Sequence, residues 1–278
     1  MERVAVDLQL VRMIQRSKDI DSGLPLWARR SNPIVRRELG RSWRTMLPEI
    51  TFLRQAFVVQ AILIVLTLPF PFLIALTLPT VTASILLFPF AIYVYGRLLF
   101  LTGATAARSI TSELENYTLP LLRSSPYSTY EIIASKAAAS IWRQVEDLGL
   151  LLIAAALLST PLLISQYGSL WPLDQHPYLS RTAMILGLAV SMLRLALEPF
   201  MVAMLGIAMG AALKTRPAAV MGTVSVAGFY FLCVNLTRFI PMSWPLRFVV
   251  DFFIPLAVPL LVTALSFRLT QYLLEEHQ

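Results

Sequence analysis

Few side chains able to carry chemistry stand in this sequence, and their spacing narrows what they could do. Arg194 and Glu198 lie four residues apart in an apolar run, with Pro199 directly after them. A charge facing lipid at mid-depth costs about 2.5–3.5 kcal/mol on the gentlest scale. The spacing therefore predicts an ion pair turned toward the protein, either locking one span against its neighbours or lining a path. Arg143, Glu146 and Asp147 have the i, i+3, i+4 spacing of local helical pairs. Gly210-Ala-Ala-Leu-Lys214-Thr215 lacks the glycine before the lysine that a phosphate-cradling loop needs, so the chain is not expected to be its own ATPase. It has no H-E-x-x-H zinc helix and no G-x-S-x-G nucleophile turn. His176 and His277 are far apart and Cys233 is alone, which leaves no expected metal site or disulfide framework. A secondary transporter would show several buried carboxylates or inverted halves, whereas Glu198 is the one acid well inside an apolar run. No catalysis, cofactor or metal is expected in this chain, so any work it does must draw on energy from elsewhere.

The elements that must position these residues are membrane helices. Of the 278 residues, 57% are hydrophobic and 14% charged, against about 45–50% and 25% in soluble proteins. Gln55–Gly96 carries no charge and would be about 63 Å long as one helix, twice the bilayer core, so it must fold back. Pro69, Pro71 and Pro79 mark where. The composition and breaks predict an all-α polytopic membrane protein with six transmembrane helices, at about 52–76, 81–102, 137–165, 182–213, 218–235 and 248–267. Gly206-x-x-x-Gly210 would permit close helix approach in the fourth.

The net charge of +7 does not call for nucleic acid, because the basic residues are interleaved with the spans. Most of them fall before the first span, between the second and third, between the fourth and fifth, and after the sixth, all on one side, while only Arg181, Arg238 and Arg247 fall on the other. That asymmetry places both termini in the cytoplasm of a multi-pass cell (inner) membrane protein. Residues 1–31 form a cytoplasmic N-terminal segment. Asn32-Pro33 then predicts a helix start, with Asn as cap and Pro where its missing N–H costs nothing. Val35, Leu39, Trp43 and Met46 share one face and Arg36, Arg37, Arg41 and Arg44 supply a basic one. Such an amphipathic helix is expected to lie in the lipid headgroup layer, apolar side down.

The longest polar interruption is Thr118–Lys136. Its first half predicts a short helix carrying Leu119, Leu121 and Leu122, stopped by Ser124-Ser125-Pro126. Ser128 and Glu131 then have the capping-box spacing that opens a second helix. Two helices would meet at a stiff, exposed corner. The pattern Glu115-x-x-Thr118-Leu119-x-Leu121-Leu122-x-x-Ser125-Pro126-x-Ser128-x-x-Glu131-Ile132-x-x-x-Lys136 resembles the cytoplasmic segment between the second and third spans of ABC-2 type permeases, the membrane subunits of ATP-driven exporters. Tyr117 and Pro120 stand where that family usually has Gly and Glu. Asn32-Pro-Ile-Val-Arg-Arg-Glu-Leu-Gly-Arg41 is similar to the elbow helix before the family's first span. The resemblance implies that 32–278 is an ABC-2 transmembrane domain and that 111–136 is a coupling segment. It also implies a dimer with a second copy or a related permease, and a separate ATPase subunit that carries ATP and Mg. A non-transporting membrane subunit that anchors a larger complex through the same corner is the alternative.

Overall fold

The computed structural model describes residues 21–40, 50–152, 154–155, 175–213, 215–237 and 240–276, and among these it is all helical, with no strand. A 3-10 turn (Leu26–Ala28) precedes α1 (Pro33–Leu39), α2 (Ile50–Leu66), α3 (Leu73–Glu115), α4 (Leu119–Arg123) and α5 (Thr129–Trp142). After the helical residues 145–152 come α6 (Pro177–Leu213), α7 (Arg216–Leu236), α8 (Trp244–Phe252) and α9 (Ile254–Glu276). Four stretches, Leu86–Glu115, Pro177–Leu213, Arg216–Leu236 and Ile254–Glu275, are long and apolar enough to cross a membrane. Phe57–Leu66 is a shorter apolar helix. These give the chain the character of a helical membrane protein.

Helix α6 is the axis of the bundle. In its most apolar window 67% of residues are buried, against 22–28% in the other three, and it packs on α3, α9, α7 and α5. Its closest neighbour is α3, and small residues set the distance. A Cβ at Gly206 would sit 2.6 Å from the Gly103 carbonyl oxygen, and one at Gly210 would sit 2.6 Å from that of Ala107. Backbone cannot yield there as a flexible side chain could, so any larger residue would push the helices apart. The Gly206-x-x-x-Gly210 spacing thus marks a real contact, with Gly103 as the partner residue that spacing alone did not reveal. Helix α7 adds one buried stripe, Ala219, Thr223, Ala227, Tyr230 and Val234, the recurrence of a helix with a single packed face.

The helix ends depart from the expected span limits in instructive ways. Instead of a break near Pro79, the chain turns at 67–72 and then runs without interruption from Leu73 to Glu115. Pro69 and Pro71 together remove two backbone donors within three residues, whereas a lone proline is absorbed within a helix. Thr67 closes α2 by bonding its hydroxyl to the Ile64 carbonyl at 2.6 Å. Buried Arg181 then staples this end to α6, with Nε 2.9 Å from Thr67 Oγ1 and Nη2 2.7 Å from the Thr67 carbonyl. At the other end, the 43 residues of α3 measure about 64 Å, well over the roughly 30 Å of a bilayer core. Part of α3 must therefore stand outside the hydrocarbon, and its last turns carry Ser109 and Glu113. The expected final span, 248–267, is divided between α8 and α9 at Phe253, just ahead of Pro255. Much of the expected third span, 137–165, lies outside the described residues.

Candidate functional site

Helices α3, α4 and α5 meet at a corner whose geometry follows from a few residues. The chain leaves α3 through Tyr117, which at φ 54° is the one non-glycine residue with positive φ among the described residues. That left-handed backbone suits glycine, and it is strained for an aromatic residue. Tyr117 is also exposed, so its ring gains no burial to offset the strain. Thr118 donates its hydroxyl to Glu113, which ties the first residue of the corner to the helix it has just left. Pro120 occupies the first turn of α4, where a missing N–H costs nothing.

The capping box at the head of α5 forms. Glu131 donates its backbone N–H to Ser128 Oγ at 3.2 Å, and Ser128 donates its own N–H to Glu131 Oε2 at 2.9 Å. That N–H, with the Ser128 hydroxyl behind it, holds the Glu131 carboxyl below the usual carboxylate range.

The three corner leucines do not share one surface. Leu119 was expected to face a partner, but it is buried in a cluster with Ile133, Met204 and Leu274. Leu122 is half-buried, and Leu121 alone stands out, 71% exposed. The one-turn helix α4 buries Leu119 in this cluster and so turns Leu121 outward. Ser125 donates its hydroxyl to the Leu122 carbonyl, closing the turn, and Pro126 is exposed. Glu115 is held by Arg216 of this same chain at 2.7 Å.

Lys136, also expected on the exposed corner, is 1% exposed and forms the hub beneath it. Its Nζ donates to Glu38 Oε1 at 2.6 Å, to the Ser109 carbonyl at 3.1 Å and to Glu113 Oε1 at 3.3 Å. Those three bonds use all three ammonium donors. Arg37 Nη2 reaches the same Glu113 oxygen at 2.9 Å. Glu113 and Glu38 were not singled out by sequence reasoning, although they lie in the 111–136 segment and the Asn32–Arg41 pattern, because both meet Lys136 only through packing. Their charge in an otherwise weakly charged chain was the only available signal.

The N-terminal helix is corrected too. Val35 and Leu39, expected to sink into lipid, are buried on Ala139 of α5, with Trp142 packed alongside. Asn32 caps the helix as its spacing suggests, its side chain accepting from the Ile34 N–H at 2.9 Å beside Pro33. The helix stops at Gly40, whose φ of 53° ends it. Arg36 is exposed, while Arg41, Trp43 and Arg44 lie outside the described residues. α5 supplies the apolar surface that composition alone could not reveal.

Within the apolar bundle, Arg194 and Glu198 pair as their spacing predicts. Arg194 Nη2 and Nε lie 2.7 and 2.8 Å from Glu198 Oε1. Tyr230 of α7 donates its hydroxyl to that oxygen at 3.0 Å, a partner that no local spacing could show. Glu198 is fully buried. The other acidic and basic residues found partners elsewhere than expected. Asp147 pairs with Arg97 across to α3 at 3.4 Å, and Arg143 donates to the Glu38 carbonyl. Among the described residues no group of His, Cys, Asp and Glu side chains could hold a metal ion. No protein-family model, curated protein or solved structure matches the chain.

Proposed function

We propose that this chain is the permease subunit of an ATP-driven, ABC-2 type exporter in the cell inner membrane, with both termini cytoplasmic. The observation that carries the proposal is Leu121. It is a large apolar side chain presented to solvent at the tip of a corner braced by the Thr118–Glu113 bond, the capping box and the Lys136 hub. An exposed leucine alone is ordinary. One held on a braced support between the long apolar helix α3 and α5 is suited to receive a push from a partner and pass it to the membrane. In this reading the partner is a separate ATPase subunit that carries ATP and Mg, and two permease copies form the pathway.

Several features support the reading. Tyr117 takes a backbone conformation natural to the glycine that the family usually has at this place. The corner and the turn at 67–72 sit at opposite ends of α3, so a corner in the cytoplasm puts that turn outside. The proposal takes six spans, made of the four apolar helices, α2 and the stretch 137–165. It takes α1 as an elbow element that rests on the coupling helix rather than on lipid alone.

Leu121→Asp tests it. The variant places a charge in what should become an apolar contact, far from the core, so the protein should accumulate and insert normally while co-purification of its tagged ATPase is lost. A well-folded, inserted Leu121→Asp protein that retains its ATPase in full would sink the docking assignment. If the ATPase binds but ATP drives no export by reconstituted protein, the chain is an anchoring subunit.

A further inference from the structure

The segment before α1 is closed on itself by hydrogen bonds. The Asp21 carboxylate accepts the Arg30 backbone N–H at 2.8 Å. Arg29 donates to the carbonyls of Leu24 and Ser22 at 2.8 and 2.9 Å, and Asn32 Nδ2 to that of Leu26 at 3.2 Å. Residues 21–32 are thus a preformed loop with two contact points on the bundle. On one side Trp142 Nε1 donates to the Ala28 carbonyl at 2.8 Å, and the Arg30 guanidinium lies 5.4 Å over the Trp142 ring. On the other, the Trp27 ring packs at 6.0 Å from that of Phe200 in α6.

One contact point adjoins a helix interruption and the other a proline inside a continuous helix. Trp142 is the last residue of α5, and at Gln144 the backbone bonds to Ile141 in a turn before helical residues resume. Phe200 follows Pro199, which lacks the N–H that would bond to the Leu195 carbonyl, and Glu198 lies just before it. Turns and internal prolines are where helices bend. One small rigid loop touches both.

We propose that residues 21–32 are a clasp that keeps the break after Trp142 and the proline position of α6 in register, so that movement of the corner helix reaches the Arg194–Glu198 half of α6. The intramembrane pair is then linked to the cytoplasmic corner by a segment outside both. The clasp rests on packing alone and does not depend on what partner moves the corner.

Amide hydrogen exchange on the full-length protein in lipid nanodiscs tests this. Trp27→Ala removes the Phe200 contact. Trp142→Phe keeps a ring in place while removing the N–H that holds Ala28, so it serves where the first variant fails to accumulate. Each should speed exchange of peptides covering 139–150 and 194–204 together, by about tenfold, while 216–236 stays as in the parent. Faster exchange confined to 21–32, or to one of the stretches 139–150 and 194–204 without the other, overturns the clasp. No ATPase is needed, so this result and that of Leu121→Asp can fail separately.

Discussion

Lys136, fully buried, and Arg194, half-buried, are both cations held by glutamate, yet they reach their partners by opposite routes. Lys136 draws on three elements, with Glu38 lying 98 residues and Glu113 23 residues away in sequence. Arg194 finds Glu198 one turn along its own helix, and Tyr230 of α7 adds a tertiary hydrogen bond to that pair. The first arrangement is a joint, since one ammonium ties α1, α3 and α5 to one another. The second is local neutralisation, which lets one helix carry two charges through apolar surroundings. A buried cation therefore reports on architecture only when its partners come from far along the chain.

The largest effect should come from breaking the local pair. Glu198→Ala leaves half-buried Arg194 in apolar surroundings without its counter-charge and should cost up to about 3–5 kcal/mol, seen as loss of inserted, monodisperse protein. Changing Arg194 and Glu198 together to leucine should restore most accumulation, because apolar replacement of a buried pair is often close to neutral. If the double variant accumulates but does not transport, the pair belongs to the path. If it fails as badly as the single variant, the pair is more than local neutralisation and the contrast with the hub collapses.

Lys136→Met should cost less, about 1.5–3 kcal/mol, the worth of hydrogen bonds to charged groups. Arg37 stays on Glu113, and Glu38 lies at the edge where water can reach it. Its signature should be spatial, with protease cleavage within 21–40 rising while the apolar helices stay protected. Equal loss of protection across the whole chain would make the hub a core element and not a joint.

The smallest effect belongs to Ser128→Ala, about 0.5–2 kcal/mol for loss of a cap, read as a lower thermal midpoint. Its pH dependence has a definite sign. Because the Ser128 N–H and hydroxyl lower the Glu131 pKa, the capping box contributes fully above the usual carboxylate range. It fades as pH falls through the depressed folded-state value. The gap between parent and variant should therefore narrow in acid, and a gap that widens there would remove Glu131 from the cap.

What the sequence determined by itself is whatever lies within one or two helical turns. The Asn32-Pro33 start, the Ser128–Glu131 box, the Arg194–Glu198 pair and the small residues Gly206 and Gly210 were all legible, because spacing along a helix fixes which side chains meet. Apolar run lengths likewise predicted spans. Tertiary structure decided the rest. Whether Leu119 or Leu121 faced water, whether Val35 rested on lipid or on α5, and where the chain turned among its prolines all depended on neighbours brought in by packing. The same holds for Lys136, which periodicity cannot distinguish from a surface lysine. Its burial is tolerable only because Glu38, Glu113 and the Ser109 carbonyl converge on one ammonium. That convergence is a property of three packed segments, and an unpaired charge at the same place would be too costly to bury.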